Sequence, residues 1–149
     1  ELVDRPPTKK IVGCRWIFSV KYQADGMIEC YKERLVAKGY TQTYGIDYTE
    51  TFAPVAKINI VRVLVSLATN LDRSLYQFDV KNVFLHGDLI EEVYMDLPPG
   101  IKKFKIHDEK VCKLKKSLYG LKQSPRAWFG RFTKSMKAFG YKQSNSDHT

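Results

Sequence analysis

The segment Gln77-Phe-Asp-Val-Lys-Asn-Val-Phe-Leu-His-Gly-Asp88 contains the residue best suited to metal chemistry, Asp79. A carboxylate late in an apolar strand is held rigidly, and a turn after it leaves room for a substrate. Spacing alone is better accounted for by an aspartate hydrogen-bonded to nearby backbone, so residue type and place do not decide the role of Asp79. A second segment, Lys113 to Phe129, sets Lys113, Lys115, Lys116, Lys122 and Arg126 around Tyr119 and the start of a helix. Free backbone N–H groups and nearby cations attract phosphate there. A capped amphipathic helix with a solvated basic flank fits the same residues. In the third segment, Tyr31 to Lys38, the cations Lys32, Arg34 and Lys38 share one strand face. That face suits a triphosphate or a nucleic-acid backbone, with solvated surface charge as the ordinary alternative.

These residues need elements to position them. Trp16, Phe18, Val20 and Tyr22 alternate with Arg15, Ile17, Ser19 and Lys21, which predicts a strand. Asp25-Gly26 is a turn signal, so residues 15 to 37 form a hairpin returning through Ile28 to Val36. Gly39 and Gly45 bracket a loop. Ile60, Val63, Leu64, Leu67, Ala68 and Leu71 make one apolar stripe of a helix over 59–71, with Asn59 placed as its N-cap. Ser74 to Val80 reads as the strand that carries Asp79, and Glu92 to Leu97 as another, closed by Pro98-Pro99-Gly100. Lys102 to Lys110 reads as a charged loop and Val111 to Leu114 as a short strand. The last helix has Ser124 as N-cap, Pro125 at its first position, Gly140 at its C-terminal end, and Phe129, Phe132, Met136 and Phe139 on its buried face. Tyr141 to Ser144 starts one more strand.

The 149 residues are one domain's worth, and 44% hydrophobic content with 13% aromatics is that of a globular chain. A net charge of +9 favours a polyanionic partner, although ordinary basic domains share it. Cys14, Cys30 and Cys112 are an odd number at no metal-ligand spacing and read as small buried hydrophobes in a reducing compartment. His86, His107 and His148 are scattered. No signal peptide, membrane-length apolar run, phosphate loop, zinc pattern or nucleophile elbow occurs. The chain is therefore expected to be soluble and intracellular, with no membrane partner. The unfinished polar end, Ser144 to Thr149, and the lack of an initiating Met suggest a fragment of something longer.

Taken in order, these segments resemble the copia-type retrotransposon reverse transcriptase. The resemblance rests on Trp16-Ile-Phe18, Tyr31 to Gly39, Tyr40 to Tyr48, Thr51-Phe-Ala-Pro-Val-Ala56, Phe78 to Asp88, Val93-Tyr-Met-Asp96, Pro98-Pro-Gly100 and Ser117 to Trp128. It covers nearly the whole chain, and the strings around Tyr40, Asp79 and Tyr119 are highly specific. The variant is similar to those of plant elements.

The resemblance implies an α+β right-hand polymerase with fingers and palm, the palm incomplete. Residues 1–72 would be fingers-like and 73–149 the N-terminal part of the palm. Asp79 would be the first catalytic aspartate, binding Mg²⁺ together with the backbone of Val80. In such sites two ions roughly 3.5–4 Å apart stabilise the attacking and leaving oxygens. Lys32 or Arg34 would hold the triphosphate, with the register of their strand leaving the choice open. The backbone of Asn82 and Val83 would lie near the nucleotide, Phe84 would block a ribose 2′-hydroxyl, and Gln123 would support the nucleotide. Val83 stands where the family usually has Ala. Lys115, Lys116, Lys122 and Arg126 would contact nucleic acid. The implied partners are an RNA template, a DNA primer, deoxynucleoside triphosphates and the remainder of the Pol polyprotein. The setting would be a cytoplasmic virus-like particle of an element encoded in the nuclear genome.

One departure is an absence. The family's Tyr-x-Asp-Asp hairpin lies downstream of the Ser-Asp-His-Thr stretch, and no Asp-Asp pair occurs in these residues. A lone aspartate does not neutralise two divalent ions, so these residues alone are expected to be inactive. A degenerate nucleic-acid-binding remnant and a functionless genomic relic are the competing readings. Salt-steep binding without Mg²⁺ affinity would mark the remnant. A stop codon directly after Thr149 would mark the relic.

Overall fold

The computed structural model describes residues 1–77, 79–101 and 110–143. Six strands and two helices follow one another: β1 Leu2–Asp4, β2 Ile11–Val12, β3 Cys14–Tyr22, β4 Ile28–Ala37, α1 Ile58–Asn70, β5 Asp88–Met95, β6 Lys110–Lys116 and α2 Ser124–Ala138. Short 3-10 turns lie at Gly39–Thr41 and Val83–His86.

Four strands form one sheet in the order β1-β6-β5-β2, and β3 and β4 form a separate hairpin. β5 and β6 are antiparallel with Val93 opposite Leu114 and Met95 opposite Cys112, while β2 runs parallel to β5. Strands from both sides of residue 72 thus share one sheet. A small core gathers Val12, Cys14, Ala37, Val93, Met95 and Leu121, where the hairpin base meets the sheet and the approach to α2.

The hairpin is in register as its turn chemistry requires, from Cys14 opposite Ala37 to Lys21 opposite Cys30. Gly26 takes a left-handed conformation (φ +86), and Asp25 accepts the Met27 N–H at 2.9 Å. Its alternating pattern does not separate a buried face from an exposed one: Trp16, Ile17, Phe18 and Val20 are all exposed.

Several expected elements differ. α1 starts at Ile58, with Lys57 at its boundary and no side-chain cap, so Asn59 lies inside the helix instead of capping it. Its stripe is exposed at Val63, Leu64, Leu67 and Leu71, and Ala68 is its one buried residue. Residues 74–77 and 79–80 are not a strand. A strand needs a neighbour to pair its N–H and C=O groups, and no described strand runs beside this segment. β5 begins earlier than Glu92, because Asp88 already pairs with Lys116, and it ends at Met95, before Leu97. β6 extends beyond Val111–Leu114 at both ends.

α2 carries Pro125 in its first turn. Its exit is a Schellman turn: Gly140 (φ +89) donates to the Lys137 carbonyl at 3.0 Å, and Tyr141 to that of Met136 at 3.1 Å. Gln123, not Ser124, occupies the N-cap position. Phe129, Phe132 and Met136 are half-buried, whereas Phe139 is exposed. Residues 141–143 are irregular, and Ser144 and residues 102–109 of the expected charged loop lie outside the described residues. Cys14 is buried and Cys112 half-buried, but Cys30 is exposed on the hairpin, which corrects its reading as a core residue. No helix among the described residues is long and apolar enough to cross a membrane.

Candidate functional site

The turn from Ser117 to Gly120 is where distant segments meet. Ser117 is completely buried; its N–H donates to the Gly87 carbonyl at 2.9 Å and its hydroxyl to the carbonyl of Phe84. Two residues on, the Tyr119 carbonyl accepts the Ala37 N–H at 2.8 Å, tying the turn to the end of β4. Gly120 follows in a left-handed conformation (φ +90), and a Cβ there would overlap the Ala37 carbonyl oxygen. A Cβ at Gly39 would likewise overlap the Gly120 carbonyl. Only glycine permits so close a crossing of two backbones.

This crossing sets three side chains together. Phe84 meets the Tyr119 ring edge to face, 4.8 Å between centroids, and the Arg34 guanidinium lies over the Tyr119 ring at 5.9 Å. Both are favourable arrangements of a ring quadrupole. Of the two cations left open by the hairpin sequence, Arg34 is therefore the one placed against this cluster. Lys32 is half-buried on the same face, two residues nearer the hairpin tip. Tyr119 was visible in the sequence only as the centre of a cationic neighbourhood, and its pairing with Phe84 carried no sequence signal.

The segment leading to Phe84 holds Asp79, which is exposed, and Val80, which is half-buried. Asn82 has a left-handed backbone (φ 54) and precedes the 3-10 turn that contains Val83 and Phe84. Asn tolerates this conformation better than most side chains. His86 anchors the turn from its other end, its Nε2 lying 3.2 Å from the Lys81 carbonyl.

No group of three His, Cys, Asp or Glu side chains that could hold a metal occurs among the described residues. Asp79 and the Val80 carbonyl would supply at most part of an Mg²⁺ site, since a two-ion centre needs further carboxylates.

Gln123 is 2% exposed, and both the oxygen and the nitrogen of its amide are hydrogen-bonded. Gln42 Nε2 donates to Gln123 Oε1 at 3.0 Å, Gln123 Nε2 donates to the Asp47 carbonyl at 3.2 Å, and the Lys122 N–H donates to Gln42 Oε1 at 3.0 Å. Gln123 thus fastens the loop after β4 to the start of α2. Any support it gives a nucleotide passes through that loop. Ser124, read as a cap, instead donates its hydroxyl to the Leu118 carbonyl at 2.7 Å.

The four cations expected at nucleic acid have partners within the chain. Lys115 pairs with Glu1 at 3.2 Å, Lys116 with Asp88, and Arg126 with Glu50 at 2.6 Å. Lys122 lies over the Tyr48 ring at 5.2 Å and donates to its hydroxyl at 3.3 Å. The lysine hydrogen bonds hold Glu1 and Asp88 below the usual carboxylate range. Lys113 does the same for Glu92 and is itself raised by that bond. Sequence spacing showed these cations but not the carboxylates that reach them.

A sequence model of the family described as reverse transcriptase (RNA-dependent DNA polymerase) matches residues 1–149. The chain is 48% identical over 148 residues to the retrovirus-related Pol polyprotein from transposon RE1 of Arabidopsis thaliana, covering 99% of this chain and 10% of that relative. It is 47% identical over 149 residues to the retrovirus-related Pol polyprotein from transposon TNT 1-94 of Nicotiana tabacum, covering 99% and 11%. It is 34% identical over 126 residues to the transposon Ty1-H Gag-Pol polyprotein of Saccharomyces cerevisiae, covering 81% and 6%. The chain spans about a tenth or less of the length of these relatives. No solved structure matches it.

Proposed function

The chain belongs to the reverse transcriptase (RNA-dependent DNA polymerase) family, and on that premise we propose that it is part of the polymerase of a copia-type retrotransposon. The whole enzyme would copy an RNA template into DNA from a primer, taking deoxynucleoside triphosphates. It would work beside the other parts of a Pol polyprotein, inside a cytoplasmic particle.

The observation that carries the reading is the cluster of Arg34, Tyr119 and Phe84, five residues after Asp79. It joins a cation suited to a triphosphate, an aromatic suited to reading the ribose, and the segment bearing a metal-binding carboxylate. In this reading Asp79 and the Val80 carbonyl are ligands of Mg²⁺, and Asn82 and Val83 offer backbone N–H groups to the nucleotide. β3, β4 and α1 belong to the fingers, and the Asp79 segment with β5, β6 and α2 to the palm. Lys32 remains a second contact for the triphosphate.

The chain supplies one carboxylate to a reaction that needs several, so by itself it does not polymerise. Its function is tested by putting it in place of the matching tenth of the RE1 relative. Mg²⁺-dependent copying of an RNA template by the chimera is the expected result. A chimera that folds yet copies nothing would contradict the assignment.

A further inference from the structure

Phe84 is held at two points by one turn. Its carbonyl accepts the Gly87 N–H at 3.1 Å and the hydroxyl of the fully buried Ser117. Two residues along the same turn, the Tyr119 ring packs edge to face with the Phe84 ring, 4.8 Å between centroids. With its carbonyl bonded twice, Phe84 yields to a ligand chiefly by turning its side chain away from its staggered position. Tyr119 packs against the ring that would have to turn.

Tyr119 is itself fixed from outside its turn. It is half-buried, its carbonyl accepts the Ala37 N–H at 2.8 Å, and the Arg34 guanidinium lies 5.9 Å from its ring centroid. Beside it, the backbone of Gly120 crosses that of Ala37 so closely that a Cβ would overlap the Ala37 carbonyl oxygen. The Tyr119 ring thus stands on a tightly held backbone, in contact with a cation from β4 and with Phe84.

We infer that Tyr119 is a positioning residue for sugar selection. It holds the Phe84 ring against the displacement that a ribose 2′-hydroxyl would force, and so widens the preference for deoxynucleotides over ribonucleotides. The inference rests on the polymerase reading, which gives Phe84 its place at the sugar. An apolar contact by itself rejects an added hydroxyl by only about a hundredfold. How far the ring resists being pushed aside therefore matters, and close packing behind it supplies that resistance. Because Tyr119 touches both Arg34 and Phe84, two effects separate. Its contact with Arg34 bears on the triphosphate, which both kinds of nucleotide carry. Its contact with Phe84 bears on the sugar alone.

The RE1 chimera tests the role through kcat/KM for a deoxynucleoside triphosphate and for its ribonucleoside counterpart on one RNA template. Tyr119→Leu is expected to lower the ratio of the two about threefold to tenfold, the size of one aromatic pair's contribution. Tyr119→Phe keeps the ring and should keep the ratio. Arg34→Lys should raise KM for both nucleotides and leave their ratio as it was. In a Phe84→Val background Tyr119→Leu should change the ratio no further, as a double-mutant cycle requires of a residue acting through another. Tyr119→Met carries the same expectation and serves if Tyr119→Leu does not fold. An unaltered ratio in Tyr119→Leu or Tyr119→Met overturns the role. So does a drop in Tyr119→Phe as large as in Tyr119→Leu, or a further drop in the Phe84→Val background. These outcomes leave the polymerase reading standing, whereas an unaltered chimera that folds and copies nothing overturns that reading and the role with it.

Discussion

The side-chain amide of Gln42 donates to that of Gln123 across 3.0 Å, joining two residues 81 apart in sequence inside a buried contact. Every polar atom of the pair that is described has a partner: the Asp47 carbonyl and the Lys122 N–H complete the set. The bond holds the loop after β4 against the first turn of α2, and thereby the crossing that sets Arg34 over Tyr119.

Gln42→Ala removes two hydrogen bonds and leaves Gln123 Oε1 buried without its donor. The cost is about 1–3 kcal/mol, the penalty of an unsatisfied buried polar group. Urea unfolding should show a lower midpoint at unchanged slope. An unaltered midpoint would mean that the amide pair is exposed in solution.

Glycines at two positions should respond in opposite directions. Gly120→Ala meets both a left-handed backbone and the Ala37 carbonyl, and should cost at least about 3 kcal/mol. Gly130→Ala lies mid-helix in open space and should add about 0.5–1 kcal/mol. Thermal unfolding of the two variants checks the contrast, and equal effects would refute the close crossing.

Much of this arrangement was legible in the sequence, and the failures share a cause. Asp25-Gly26 and the Pro125-to-Gly140 pattern act locally, so the hairpin and α2 stand where they were expected. The period of α1 identified residues that share a face. Periodicity does not say whether another element covers that face, and Val63, Leu64 and Leu67 are exposed. The strand expected around Asp79 needs a partner strand, which local propensity does not supply. Likewise the spacing of Lys115, Lys116 and Arg126 could not reveal Glu1, Asp88 and Glu50, since these are brought up by the fold. The Arg34–Tyr119–Phe84 cluster depends on a backbone crossing between Ala37 and Tyr119, 82 residues apart.

Acid should weaken the fold through the lysine-bonded carboxylates. Lys113 holds Glu92 below its ordinary value, so the folded chain binds fewer protons there than the unfolded one. The contribution is complete above the unfolded value, about 4.3, and is lost as pH falls through the lower folded one. Lys113 is raised, so its contribution is complete below about 10.4 and is lost as pH rises through the higher folded value. Glu92 is exposed and Lys113 only half-buried, so the effect is small and screened by salt. Melting curves of Glu92→Gln should run below those of the unaltered chain near neutral pH and converge with them in acid. A gap that widens in acid would contradict the pairing.

The three thiols should differ in reactivity. Burial pushes Cys14 and Cys112 above the ordinary thiol value, keeping them protonated at neutral pH, while Cys30 is exposed. A disulfide reagent at pH 7 should modify one cysteine quickly in the native chain and all three after unfolding. Peptide mapping should locate the fast site at Cys30, and rapid labelling of Cys14 would contradict the buried core.

The central claim is that Asp79 is a metal ligand of a polymerase, and its substitution in the RE1 chimera tests that claim most directly. Mg²⁺-dependent primer extension on an RNA template should fall by about 10³-fold or more in Asp79→Asn, with the thermal transition unchanged. Extension that continues at the unaltered rate in Asp79→Asn would contradict it.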